Sequence, residues 1–223
     1  MNKNMKKSLS LVELIFAIAI ISIVIIGSLS FISHSYKAYN HSKDSVVLEV
    51  EIKSTLEFIQ NKLTHSVDLI SNPHKLEWNE IDYKGTRANE WSGYVDINKS
   101  DDETLVSPAS NFDNDTSSKI IKIDKKSYNI KSSNANKIYF EDKSPKNITQ
   151  TYLLISNHYT LKQIGSELRL YKRDFNKITD ENYLLLRNVS KLDISLTNSI
   201  LYITICIFED KICSSKSITI TDE

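Results

Sequence analysis

The chain has 223 residues, with 28 Lys and Arg against 28 Asp and Glu, so it carries no net charge, and it holds only four Gly and three Pro. So few glycines exclude a loop of the GxGxxG or GxxxxGK kind, which needs several close together to cradle phosphate. No basic stripe with interleaved aromatics is present, which removes the electrostatic basis for broad nucleic-acid binding.

Residues 1–8 contain Lys3, Lys6 and Lys7 and no acid, and Leu14 to Ile32 contain no charged residue at all. A hydrocarbon core of about 30 Å takes roughly 20 helical residues at about 1.5 Å each, so this run is long enough to cross a bilayer. The basic leader then stays on the cytoplasmic side and the chain after Ile32 goes outward. An ordinary secretory signal, cut after Ser28 or Ser30, is the competing reading, but its apolar core is usually shorter, about 7 to 15 residues. Such a cut would also discard Glu13. That carboxylate stands at the mouth of the apolar run, where a charge costs about 2.5 to 3.5 kcal/mol on insertion scales, so it calls for a partner. An interfacial Glu reaching the headgroups is the plainer alternative.

The stretch Lys6-Lys7-Ser8-Leu9-Ser10-Leu11-Val12-Glu13-Leu14 resembles the class III signal of type IV prepilins and pseudopilins. The resemblance implies cleavage between Ser8 and Leu9 by a prepilin peptidase, methylation of the new N-terminus at Leu9, and Glu13 in the role of the assembly glutamate. Ser8 and Leu9 stand where the family usually has glycine and an aromatic residue. Leu9 to Glu13 is about one helical turn, roughly 6 Å. The ammonium of a neighbouring, axially shifted helix could therefore sit beside Glu13, matching two charges that would be costly alone in low dielectric.

Beyond the apolar run, Leu48, Ile52, Leu56, Ile59, Leu63, Val67 and Ile70 recur every three or four residues, one stripe of an amphipathic helix. With no Pro before Pro73, the expectation is one helix from about Leu9 to about Ser71, roughly 90 Å long at 1.5 Å per residue. A coiled-coil dimer is the alternative use of that stripe. His34 and His41 lie seven apart on this helix, without a third ligand that would make them a metal site.

Residues 72–118 read as a long polar surface loop with one or two short strands. Trp78 and Trp91 are expected to be exposed there as a partner surface, and Asp96, Asp101, Asp102, Glu103, Asp113 and Asp115 form a solvated acidic loop without the ligand spacing of a calcium site. Strand-like runs follow at Lys119–Ile123, Lys137–Glu141, Thr151–Ile155, Tyr159–Ile164, Glu167–Lys172, Val189–Leu196, Leu201–Phe208 and Ser217–Thr221, with Gly165-Ser166 as a hairpin signal. With a turn at Glu209-Asp210, Cys206 and Cys213 fall opposite each other on the outward side. In an oxidising compartment they would form a disulfide; two unpaired thiols is the other reading.

The segments Leu168 to Arg173 and Leu184 to Val189 look like the C-terminal half of J-type minor pseudopilins of type II secretion and the related W-type minor pilins. This implies a place at or near a filament tip. The expected fold class is α+β, a long N-terminal α-helix packed on a C-terminal antiparallel β-sheet domain. The expected division is 1–8 leader, 9–33 membrane and assembly helix, 34–71 amphipathic helix, 72–118 surface region and 119–223 sheet domain. No HExxH, GxSxG, CxxC or carboxylate pair points to catalysis, and no cofactor or metal is expected. The partners implied by the resemblance are other pilin-like subunits, the prepilin peptidase and an inner-membrane assembly platform, with nucleic acid met only through a DNA-uptake apparatus. The implied location is the inner membrane, N-terminus cytoplasmic and C-terminal domain periplasmic. A membrane-tethered periplasmic binding module that never enters a filament is the alternative function, and a secreted enzyme the third.

Overall fold

The computed structural model describes residues 11–83, 91–112, 120–141, 150–175 and 180–220. The chain divides into two units, Met1–Leu48 and Glu49–Glu223, and helix α1 (Leu11–Leu63) runs through both. Up to Ile32 the helix is apolar on every side and exposed. Ser22 and Ser28 within this run turn their hydroxyls back onto the carbonyls of Ile18 and Val24 at 2.8 and 2.7 Å. The helix thus satisfies these polar atoms internally, as a hydrocarbon environment requires.

In the second unit the helix buries Ile52, Thr55, Leu56, Ile59 and Leu63, the i, i+3/i+4 face that the periodicity marks. The helix stops at Leu63, eight residues before the expected end. Ser66 Oγ donates to the Leu63 carbonyl at 2.8 Å, satisfying a terminal acceptor. Val67 and Ile70, read as the last members of the helical stripe, belong instead to strand β1 (Ser66–Asn72), which carries a bulge at this point with Asp68 at φ 55°. Thr64, His65 and Ser66 favour neither continuation nor core burial, so sheet pairing wins over periodicity.

Strands β2 (Lys75–Ile81), β3 (Thr104–Val106), β4 (Ile120–Ile123), β5 (Lys126–Asn134), β6 (Lys137–Phe140), β7 (Tyr152–Ile164), β8 (Glu167–Asp174) and β9 (Glu181–Arg187) join β1 in one antiparallel sheet. The 13-residue β7 is its axis. One edge of β7 takes β2 and the other takes β8 and then β4. What sequence divides into two strands is continuous here, because the polar Ser156-Asn157-His158 break is bonded sideways. Asn157 Nδ2 donates to Glu80 Oε2 at 2.6 Å, and His158 Nδ1 lies 2.9 Å from Asn79 Oδ1.

Leu76, Leu161 and Leu170 lie side by side on three adjacent strands and are all buried, and Trp78 stacks on Tyr159 with ring centroids 5.3 Å apart. Such cross-strand pairs stabilise a sheet face, and each fully buried large side chain contributes about 1.5–3 kcal/mol. A second core gathers Trp91, Leu105, Phe112, Ile121, Ile138, Phe140, Tyr152 and Leu154 around β3 to β6 and the start of β7. Among its described residues, region 72–118 carries two short strands, β2 and β3, as the expectation allowed, but it also supplies core residues and is not the polar surface stretch expected. Trp78 is fully buried and Trp91 6% exposed, which removes them as a partner surface. Trp91 Nε1 donates to the Asp82 carbonyl at 3.1 Å.

Strands β10 (Val189–Thr197), β11 (Ile200–Ile207) and β12 (Ile212–Thr219) form a separate three-stranded sheet. Asn188, at φ 57°, is the single residue between β9 and β10, and Asn is among the few side chains that tolerate the left-handed region. The α+β class is as expected, with one long N-terminal helix and antiparallel sheet following it. The sheet domain, however, begins at β1 rather than near residue 119.

Candidate membrane and assembly segment

Glu13 lies in the first turn of α1 as described, exposed. A carboxylate there faces the partial positive charge of the helix N-terminus, a favourable placement. Its neighbours Leu11, Val12, Leu14, Ile15 and Phe16 are large, apolar and at least half exposed. The position thus joins a single acid to a continuous apolar surface. Ser8 and Leu9, expected to flank a cleavage point, lie outside the described residues. Among the described residues α1 is the one helix long and apolar enough to cross a membrane. The same length and composition describe a membrane anchor and a signal sequence.

Cys206 and Cys213 are joined by a disulfide, with Cα atoms 4.1 Å apart and partnered directly in the β11–β12 register. The pair is not wholly on an outward face: Cys206 is buried and Cys213 exposed. The connection between these strands places Phe208, Glu209 and Asp210 all at positive φ, from 51° to 63°. Asp210 is held by Ser190, whose hydroxyl donates to its carboxylate at 2.7 Å and accepts from its backbone N–H at 3.0 Å.

His34 and His41 are exposed on α1. The acidic loop is used to build turns. Asp101 Oδ1 accepts from the backbone N–H of Glu103 at 2.9 Å and of Thr104 at 2.7 Å, and those bonds hold its carboxyl below the usual aspartate range. Asp96 pairs with Lys99 at 3.1 Å. Asp113 and Asp115 lie outside the described residues, and among those described no three His, Cys, Asp or Glu side chains gather as a metal site would need.

Two polar clusters escape sequence reading because their members come from distant positions. On the helix-facing side of the sheet, Lys62 Nζ lies 3.5 Å from Glu80 Oε1 and 3.4 Å from the Tyr159 hydroxyl, beside a cavity of about 340 Å³. Burial, then the Glu80 carboxylate, push the Tyr159 hydroxyl well above the ordinary tyrosine range. In the second core Ser107 lies 2.6 Å from Ser110 and 2.9 Å from the Tyr152 hydroxyl, whose pKa burial also raises. The Tyr159 hydroxyl also donates to Glu80 Oε2 at 3.2 Å, so each cluster ties together elements distant in sequence.

No family model, no curated protein and no solved structure matches this chain. The class that the structure defines is accordingly general: an α+β protein whose N-terminal helix is membrane-compatible and is followed by an antiparallel sheet domain.

Proposed function

We propose that the chain is a structural subunit of a pilin-like filament, a minor pseudopilin, made with a basic leader and assembled through its N-terminal helix for secretion or DNA uptake. The observation that carries this reading is Glu13, one carboxylate in the first turn of a helix that is otherwise apolar and exposed through Ile32. A tethered binding module or a secreted protein needs an apolar segment but does not require an acid at its mouth. In the filament reading Glu13 accepts the N-terminal ammonium of a neighbouring subunit, and desolvation of the two together makes the contact selective for the correct axial offset. The rest of the chain supplies a rigid sheet domain to be carried on the filament, without a role in catalysis.

The test is the mass and identity of the N-terminal residue in protein purified from its native membrane. An N-methylated Leu9 is the expected result. An intact Met1 would replace the proposal with a tethered module, and a start near Leu29 or Phe31 would replace it with a secreted protein.

A further inference from the structure

We propose that the turns of α1 directly after its apolar run bind anionic phospholipid headgroups, with Lys37 as the phosphate contact. The inference rests on the reading of Leu14 to Ile32 as the membrane span. Those residues rise about 28 Å, matching a hydrocarbon core of about 30 Å. With Glu13 at one boundary, Ser33 enters the opposite headgroup layer, which is about 5–7 Å deep and so holds four or five helical residues. Tyr36 and Lys37 fall within this layer or at its outer edge, and Tyr39, seven residues past Ile32, lies beyond it. Tyr36 is 64% exposed, and an exposed ring at this depth matches the aromatic belts of membrane interfaces, where the ring is buried among headgroups and the hydroxyl stays wet.

The charge pattern points the same way. From Leu14 to Lys43 there is no acidic residue, and the residues three and four positions from Lys37 are His34, Ser33, Asn40 and His41. No helical neighbour can therefore neutralise Lys37, in contrast to Lys53 further on, which pairs with Glu49 at 2.6 Å. His34, Lys37 and His41, spaced by three and four, share one face, while Tyr36, Tyr39 and Lys43 share the opposite one. The first face offers a phosphate the Lys37 ammonium with the His34 imidazole beside it at headgroup depth, and the second turns the Tyr36 ring toward the headgroups.

The proposal is tested on the full chain carrying Lys3→Gln, Lys6→Gln and Lys7→Gln, so that the leader contributes no charge. In detergent micelles it is titrated with phosphatidylglycerol or phosphatidylcholine, and retained lipid is counted by native mass spectrometry. Phosphatidylglycerol is expected to be retained about five-fold better, and Lys37→Gln to bring the ratio within about two-fold, the scale of one juxtamembrane lysine. Equal retention of the two lipids, or a preference that survives Lys37→Gln, would overturn the assignment. Binding of inorganic phosphate alone with the affinity of the lipid would overturn it too, making the site a free-anion site. Alkaline carbonate extraction of native membranes separates the two levels. A chain released by carbonate sinks the membrane reading and this inference together, whereas an extraction-resistant chain without lipid preference sinks the inference alone.

Discussion

Opening the Cys206–Cys213 disulfide should destabilise the second unit by an amount set by the loop it closes. The cysteines are seven residues apart in sequence, and the chain-entropy relation for a loop of about eight residues gives ~2.5 kcal/mol at 25 °C. Part of the constraint falls where it is most needed, on three consecutive residues, Phe208 to Asp210, in the left-handed region, each of which costs about 1–2 kcal/mol outside glycine. The assay is urea unfolding of the full chain in detergent, with and without reductant, followed by the fluorescence of Trp78 and Trp91, both buried in this unit. Reduction should lower the unfolding free energy by about 2–3 kcal/mol, a fall in Tm of roughly 5–10 °C for a unit of this size. The variant Cys206→Ala with Cys213→Ala should match the reduced protein and no longer respond to reductant. A reductant effect below about 0.5 kcal/mol, less than any loop of this length predicts, would refute the reasoning.

Trp78→Ala removes the largest fully buried side chain of the sheet and its stack on Tyr159, and should cost about 3–5 kcal/mol in the same urea assay. Glu13→Ala should abolish incorporation into filaments, measured by co-sedimentation, while leaving the urea midpoint of the sheet domain unchanged, because the two lie in different units. Stability should fall with acid in two windows. Burial lowers the pKa of His158 below its ordinary 6.5, so the folded state binds fewer protons and stability declines as pH drops below about 6.5, a limb that His158→Gln should remove. Hydrogen bonding from Lys75 leads the forces that lower Glu77 below its ordinary 4.5, and its contribution, full above that value, should disappear as pH falls through its depressed folded pKa.

The apolar run with its single acid was legible without coordinates because a bilayer imposes a length and a charge rule on a contiguous segment. Hairpins were legible for a similar reason, each being a local object. Gly165-Ser166 joins β7 to β8, with Gly165 at φ 57°, and Cys206 and Cys213 meet across β11 and β12 at the register that the alternation requires. Asn72-Pro73 is a turn dipeptide by the same local rule, and Pro73-His74 is the loop of the β1–β2 hairpin.

What the tertiary structure alone decided lies where neighbours distant in sequence change the meaning of a residue. Val67 and Ile70 have helical spacing, yet β2 recruits them into a sheet. Trp78 sits between polar residues and is nevertheless buried, because strand alternation turns Lys75, Glu77 and Asn79 to one face and Leu76 and Trp78 to the other. Strand β5 has polar residues on both faces and no periodicity to announce it; its pairing with β4 and β6 defines it. Local pattern fixes which stretches can bury apolar surface or cross a membrane, but which segment pairs with which depends on contacts of long sequence separation, and no window of the chain contains them.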